Sequence, residues 1–144
     1  MKRFIFRLET LLKVRKAREG KIQRELSYAQ QKLGGWQEKK MTLENQIAGL
    51  TAEIQKKREI GEIKLQETYN QILDHLNTNL SQVSHTLDAQ NRQIAEMEAR
   101  LTGAARQRKF VEKVKEKQYS QWEETTEKQM MLNEAPFSQA SYRG

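Results

Sequence analysis

Few residues in this chain could do chemistry at ordinary pH. His75 and His85 are the only histidines, and they stand ten positions apart, so on a helix they do not share a face at metal-ligand spacing. Both read as surface or seam-edge residues. Cysteine is absent, which removes disulfides and thiolate metal sites and fits a reducing compartment. No glycine-rich phosphate loop, HExxH or GxSxG sequence occurs. The glutamates alternate with lysines at helical spacing, the pattern of an exposed helix rather than of an acid–base pair. The chemistry to expect is recognition, with no catalysis, no cofactor and no metal.

Recognition has two obvious stretches. Phe110, Val114, Tyr119 and Trp122 lie among Arg106, Arg108, Lys109, Lys113, Lys115 and Lys117. Near the start, Leu8, Leu11, Leu12 and Val14 lie on one side of a helical pattern while Lys13, Arg15, Lys16, Arg18 and Lys21 crowd the rest. Aromatic and basic residues together are enriched in binding hot spots. The stretch near the start reads either as a docking surface or as the solvated end of a coiled coil.

The elements that must position them are two long stripes. In steps of four and three, Ile22, Leu26, Ala29, Leu33, Trp36, Lys40, Leu43, Ile47, Leu50 and Ile54 form the first, with Lys40 its single polar member. Leu73, Leu76, Leu80, Val83, Leu87, Gln90, Ile94, Met97, Leu101 and Ala104 form the second, interrupted by Gln90. A 3.5-residue repeat sustained this long keeps a narrow apolar seam facing a partner helix. Two such stripes in one chain predict an all-α fold, an antiparallel two-helix coiled-coil hairpin forming a long rod. Helix 1 is expected over about 5–58 and helix 2 over about 68–133, in a single domain of residues 1–134. The turn is expected in 59–68 with Gly61 as the breaker. Residues 135–144, after Pro136, are expected to be a disordered tail.

A register follows from pairing the two interruptions. With Lys40 opposite Gln90 as a polar layer of the seam, Leu43 meets Leu87 and Trp36 meets Ile94. The same register sets Arg15 against Lys115, Glu19 against Val111 and Leu12 against Gln118. Like charges across a seam destabilise it, so the terminal end is expected to be looser than the middle or completed by another molecule. Gly34 and Gly35 in helix 1 mark a kink or a close contact, or are simply tolerated there. Ile60, Ile63 and Leu65 at the tip are either a second contact site or the cap of the loop.

Composition agrees. Only 36% of the 144 residues are apolar and 31% are charged, too little apolar material for an ordinary globular core. The net charge of +7 is uneven. Residues 1–40 hold twelve Lys or Arg against four acids, and residues 106–117 hold six against two. In the hairpin both fall at the terminal end, which suggests an acidic partner surface there. No stretch has the length and apolarity of a bilayer span, and a cytoplasmic protein is expected.

The opening FIFRLETLLKVRKAREGKIQRELSYAQQKL resembles the start of the FliJ family of flagellar export proteins. Phe4, Phe6, Arg7, Leu8, Glu9, Leu11, Leu12, Arg15, Glu25, Leu26, Ala29 and Leu33 carry the resemblance. The RKFVEKVKEKQYSQW stretch is similar to a second family segment through Arg108, Lys109, Glu112, Lys113, Lys115, Glu116 and Lys117. The likeness spans the whole length, including Gly61 followed by Tyr69, but the tail QMMLNEAPFSQ departs from the family's usual charged end.

The resemblance implies a non-enzymatic, stalk-like component of the flagellar type III protein export apparatus. It implies as partners a FliI-like export ATPase, whose hexamer ring it promotes, a FlhA-like export gate protein and export chaperones. The implied place is the cytoplasmic side of the inner membrane at the flagellar base, with membrane contact only through partners. Arg7, Leu8, Leu11, Arg15, Arg18, Phe110, Lys113, Lys117 and Trp122 are the candidates for the ATPase contact. Tyr69, Leu73, Leu76 and Leu80 are the candidates for the gate. Rival readings are a YscO-type stalk of a virulence type III secretion system, a membrane-surface helix in the basic first eighteen residues, and a generic coiled-coil scaffold. Nucleic-acid binding lacks a motif, and Glu9, Glu19, Glu112 and Glu116 would repel phosphates.

Overall fold

In a computed structural model, the two stripes form two helices packed against each other as an all-α hairpin. The structure describes residues 3–143, with side chains described as far as Glu134. Helix α1 runs Glu9–Glu59 and α2 runs Gln66–Arg143. No strand occurs among the described residues.

Helix α1 starts at Glu9 rather than near residue 5. Residues 3–6 are non-helical, and in that stretch the exposure alternates: Phe4 is half-buried, Ile5 exposed, Phe6 buried. A period of two belongs to an extended segment, where alternate side chains share a face. Burying Phe4 and Phe6 together outweighs continuing the helix by one more turn.

The other end of α1 closes with a recognisable motif. Gly61 N–H donates to the Arg58 carbonyl at 3.1 Å and Glu62 N–H donates to the Lys57 carbonyl at 2.9 Å. These are the paired bonds of a Schellman C-cap, which satisfy carbonyls that the helix end would orphan. The motif needs a left-handed residue, and Gly61 has φ of 82°. A Cβ there would meet nothing within 4 Å, so any substitution cost is backbone strain alone. Gly61→Ala is expected to destabilise the chain by about 1 kcal/mol in urea unfolding with an unchanged m-value. A cost near zero would mean that the turn re-forms without the left-handed residue.

Helix α2 continues to Arg143 instead of ending near 133. Pro136 therefore lies inside it, where its missing N–H leaves the Leu132 carbonyl without the usual donor. Straight-chain Lys128, Gln129, Met130, Met131 and Leu132 favour helix up to that point. The expected tail over 135–144 falls where no side chain is described.

The chain divides into two compact units, Met1–Lys21 with Leu101–Gly144, and Ile22–Arg100. The hairpin unit, Ile22–Arg100, holds two seam clusters. Buried Ala29, Ile94 and Met97 pack with Leu26 and Leu33, while buried Leu43, Val83 and Leu87 pack with Leu33, Trp36, Leu76 and Leu80. Leu43 and Leu87 thus share a cluster as expected, whereas Trp36 and Ile94 do not. The pairing is displaced by about half a heptad. A shallow groove accordingly sets Lys40 beside Leu87, with Asp88 and Glu44 on its walls. Lys40 and Gln90 are each half-buried, so the long Lys40 stem can cover Leu87 while its ammonium stays wet. That snorkelling removes the desolvation cost from which a Lys40–Gln90 layer was argued. Helix α1 runs through Gly34 and Gly35, and a Cβ at either would meet nothing within 4 Å, so neither marks a close contact.

The terminal unit has its own core. Phe6, Leu12 and Val111 are buried together, with Phe4, Leu11 and Val114 packed against them. Leu12 at 2% exposure and Val111 at 1% are the most deeply buried large side chains of the described residues. The end expected to be looser than the middle, or completed by another molecule, has a buried core of its own.

Candidate functional site

The terminal unit is closed by opposite charges, and the half-heptad displacement explains how. Glu19 faces Arg108 rather than Val111, and the Arg108 guanidinium donates to both Glu19 oxygens, the longer bond 3.4 Å, and to Glu112 at 2.9 Å. Glu9 pairs with Lys115 at 2.8 Å, and Lys16 lies 4.0 Å from Glu112. Arg15, instead of meeting Lys115, donates from Nη1 to the Gln107 carbonyl at 2.9 Å. The hydrogen bond to Glu19, then that to Glu112, holds the Arg108 guanidinium even more firmly protonated than usual. The hydrogen bond from Lys115 holds the Glu9 carboxyl below the usual carboxylate range. These pairs replace the expected like-charge contacts, and that is why the seam closes here.

Beyond the core, the N-terminal segment carries the packing outward along α2. Phe4 meets Tyr119 edge-on with ring centroids 5.2 Å apart and meets Trp122 at 5.9 Å. Tyr119 and Trp122 are themselves 5.8 Å apart. The Lys115 ammonium sits over the Phe6 ring, 5.9 Å from its centroid.

The nine candidate ATPase-contact residues separate into two groups. Arg7, Leu8, Arg18, Phe110, Lys113 and Lys117 are exposed. Leu11 packs on the terminal core, Arg15 is engaged by the Gln107 carbonyl, and Trp122 is half-buried against Phe4. Sequence reasoning passed over Glu19 and Arg108 as a pair, although their opposite signs at the seam edge were the available signal. It also treated Phe4 as part of a motif rather than as a packing residue. The alternation Phe4, Phe6 ahead of the helical pattern was the signal for that.

At the turn end of the hairpin unit, Lys57 donates to the Tyr69 hydroxyl and stands over its ring at 4.6 Å. That hydrogen bond raises the Lys57 ammonium above the ordinary lysine value. Arg58 Nε donates to Gln66 Oε1 at 3.1 Å. Of the gate candidates, Tyr69 is half-buried in this network, Leu76 and Leu80 belong to the seam cluster, and Leu73 is half-buried. Ile60, Ile63 and Leu65 of the tip are exposed, as is Ile72, and Ile63 and Leu65 line an open groove of about 730 Å³. His75 and His85 are exposed.

Among the described residues, no group of histidine and acid side chains is arranged to hold a metal ion, and no helix is long and apolar enough to cross a membrane. The family model described as "Flagellar FliJ protein" matches residues 4–131 of the chain. The chain belongs to the FliJ family. As a FliJ protein it is a non-catalytic component of the flagellar type III protein export apparatus. The match begins at Phe4, so Phe4, Phe6 and their aromatic contacts lie inside the FliJ region. Neither a curated protein nor a solved structure matches the chain.

Proposed function

We propose that this FliJ protein acts as a stalk-like coiled coil that binds the FliI-like export ATPase through its terminal unit and promotes assembly of the ATPase ring. The observation that carries the reading is the composition of the exposed surface there. Arg7, Arg18, Lys113 and Lys117 stand in solvent together with exposed Leu8 and Phe110. Cations not consumed by the fold, beside an exposed aromatic, suit an acidic partner surface with apolar pockets. The turn end, through Tyr69, Leu73 and the neighbouring exposed tip, is the proposed contact for the FlhA-like gate. Leu76 and Leu80 act there as the seam that supports it. Export chaperones are the remaining proposed partners, and the proposed location is the cytoplasmic face of the inner membrane at the flagellar base. The family match favours the flagellar system over a YscO-type stalk.

The test is binding of the cognate export ATPase, by titration calorimetry, to the chain carrying Arg18→Glu and Lys117→Glu. Both residues are exposed, so helicity is expected to be unchanged. Affinity is expected to fall by about tenfold or more, because like charges replace steering contacts at the rim. Equal affinity for both chains would remove the terminal unit as the ATPase contact.

A further inference from the structure

We propose that residues 3–8 are a strap that covers Trp122 in the free chain, an autoinhibitory contact that the ATPase displaces when it engages the terminal unit. The inference rests on the ATPase reading above and adds its regulation.

The strap is anchored unequally along its length. At its inner end Glu9 N–H donates to the Phe6 carbonyl at 3.2 Å, Leu12 N–H donates to the Leu8 carbonyl at 2.9 Å, and Phe6 is buried with Leu12 and Val111. At its outer end Phe4 is only half-buried, resting on the rim of that core and against the rings of Tyr119 and Trp122. Ile5, between the two phenylalanines, is 80% exposed and adds nothing to the grip. Because α1 begins only at Glu9, Trp122 is covered by Phe4 instead of by a helix, while Tyr119 touches Phe4 and stays exposed. The outer end can therefore lift while the Phe6 core stays closed.

What lifting uncovers is a binding surface. Tyr119 and Trp122 form a two-ring platform whose planes are inclined by 31°. Exposed Lys117 is on the same stretch of α2, two residues before Tyr119 and five before Trp122. Tryptophan and tyrosine are enriched among interface anchors, and an aromatic or aliphatic side chain of the partner fits where Phe4 sits. A covered site lowers apparent affinity by the fraction of molecules in which it is open.

The experiment uses the full chain with Trp36→Phe, which leaves Trp122 as the single tryptophan. In that background Phe4→Ala and Phe4→Leu are compared with the parent for tryptophan emission, acrylamide quenching, helicity and ATPase affinity. Phe4→Ala is expected to shift Trp122 emission to the red, increase quenching, keep helicity, and tighten ATPase binding by roughly threefold to tenfold. Phe4→Leu, which refills the notch without an aromatic ring, is expected to lie between Phe4→Ala and the parent. Unchanged emission and quenching in Phe4→Ala would overturn the cover. Greater quenching with equal or weaker ATPase affinity would overturn the autoinhibitory role while leaving the ATPase contact standing. Absence of ATPase binding by all three chains would remove the ATPase reading and the regulation built on it, with the emission data still deciding whether Phe4 covers Trp122.

Discussion

Leu12→Ala is expected to destabilise the terminal unit by roughly 2–5 kcal/mol, the range for truncating a fully buried leucine. Leu12 keeps 2% of its surface and faces Val111, which keeps 1%. A two-helix seam has one layer of side chains between its backbones, so little can move inward to fill the missing volume. Phe6 is the third member of the cluster, and it lies on the non-helical segment rather than on either helix. The loss should therefore reach the first turn of α1, where Glu9 N–H donates to the Phe6 carbonyl. Amide hydrogen exchange is the suitable readout, because it resolves opening segment by segment. Protection should fall over residues 9–21 and 104–122. A fall confined to the hairpin unit, or none at all, would mean that this cluster does not hold the terminal unit together.

The two helices, the turn and the family were legible in the sequence because each rests on a local pattern. The 3.5-residue stripe needs only periodicity, and the turn needs one glycine able to take a left-handed conformation. Register is different. A heptad stripe slid by about half a heptad against another still sets apolar positions opposite apolar positions, so the seam itself scarcely discriminates. One polar coincidence, Lys40 with Gln90, pointed to the wrong choice because a lysine at a seam edge can reach water with its ammonium while its stem stays covered. The seam-edge charges carried the deciding information: in the observed pairing Glu19 finds Arg108 and Glu9 finds Lys115, whereas the alternative brings Arg15 against Lys115. The candidate site inherited that error. Arg15 and Trp122 are contact candidates by residue type, whereas their covering groups, the Gln107 carbonyl and Phe4, follow from the register and from the strap. Arg7, Arg18, Lys113 and Lys117 needed no register to be placed, and they are exposed.

If those charges set the register, reversing one of them should do more harm than removing an ordinary surface ion pair. Arg108 is the one to change. It serves Glu19 and Glu112 at once, and the side chains of Arg108 and Glu19 keep only 23% and 13% of their surface. Arg108→Ala leaves the Glu19 carboxylate mostly covered and unpaired, which costs more than the pair itself contributes. Arg108→Glu goes further, placing three carboxylates together. The thermal midpoint is expected to fall in the order parent, Arg108→Ala, Arg108→Glu, and Arg108→Glu should lose protection over 9–21 and 104–122. Lys16→Glu tests the contrast: its contact with Glu112 is long and exposed, so its effect should be much smaller. Added salt should narrow the gap between the reversed variant and the parent by screening the repulsion. The decisive chain combines Glu19→Arg with Arg108→Glu, which restores the cross-helix pair with its polarity exchanged and leaves same-helix repulsions, from Glu112 on α2 and from Arg15 and Lys16 on α1. It should recover part of the loss. A double variant no more stable than Arg108→Glu alone would show that the two residues do not pair, and the register that accounts for the closed terminal unit would fall with them.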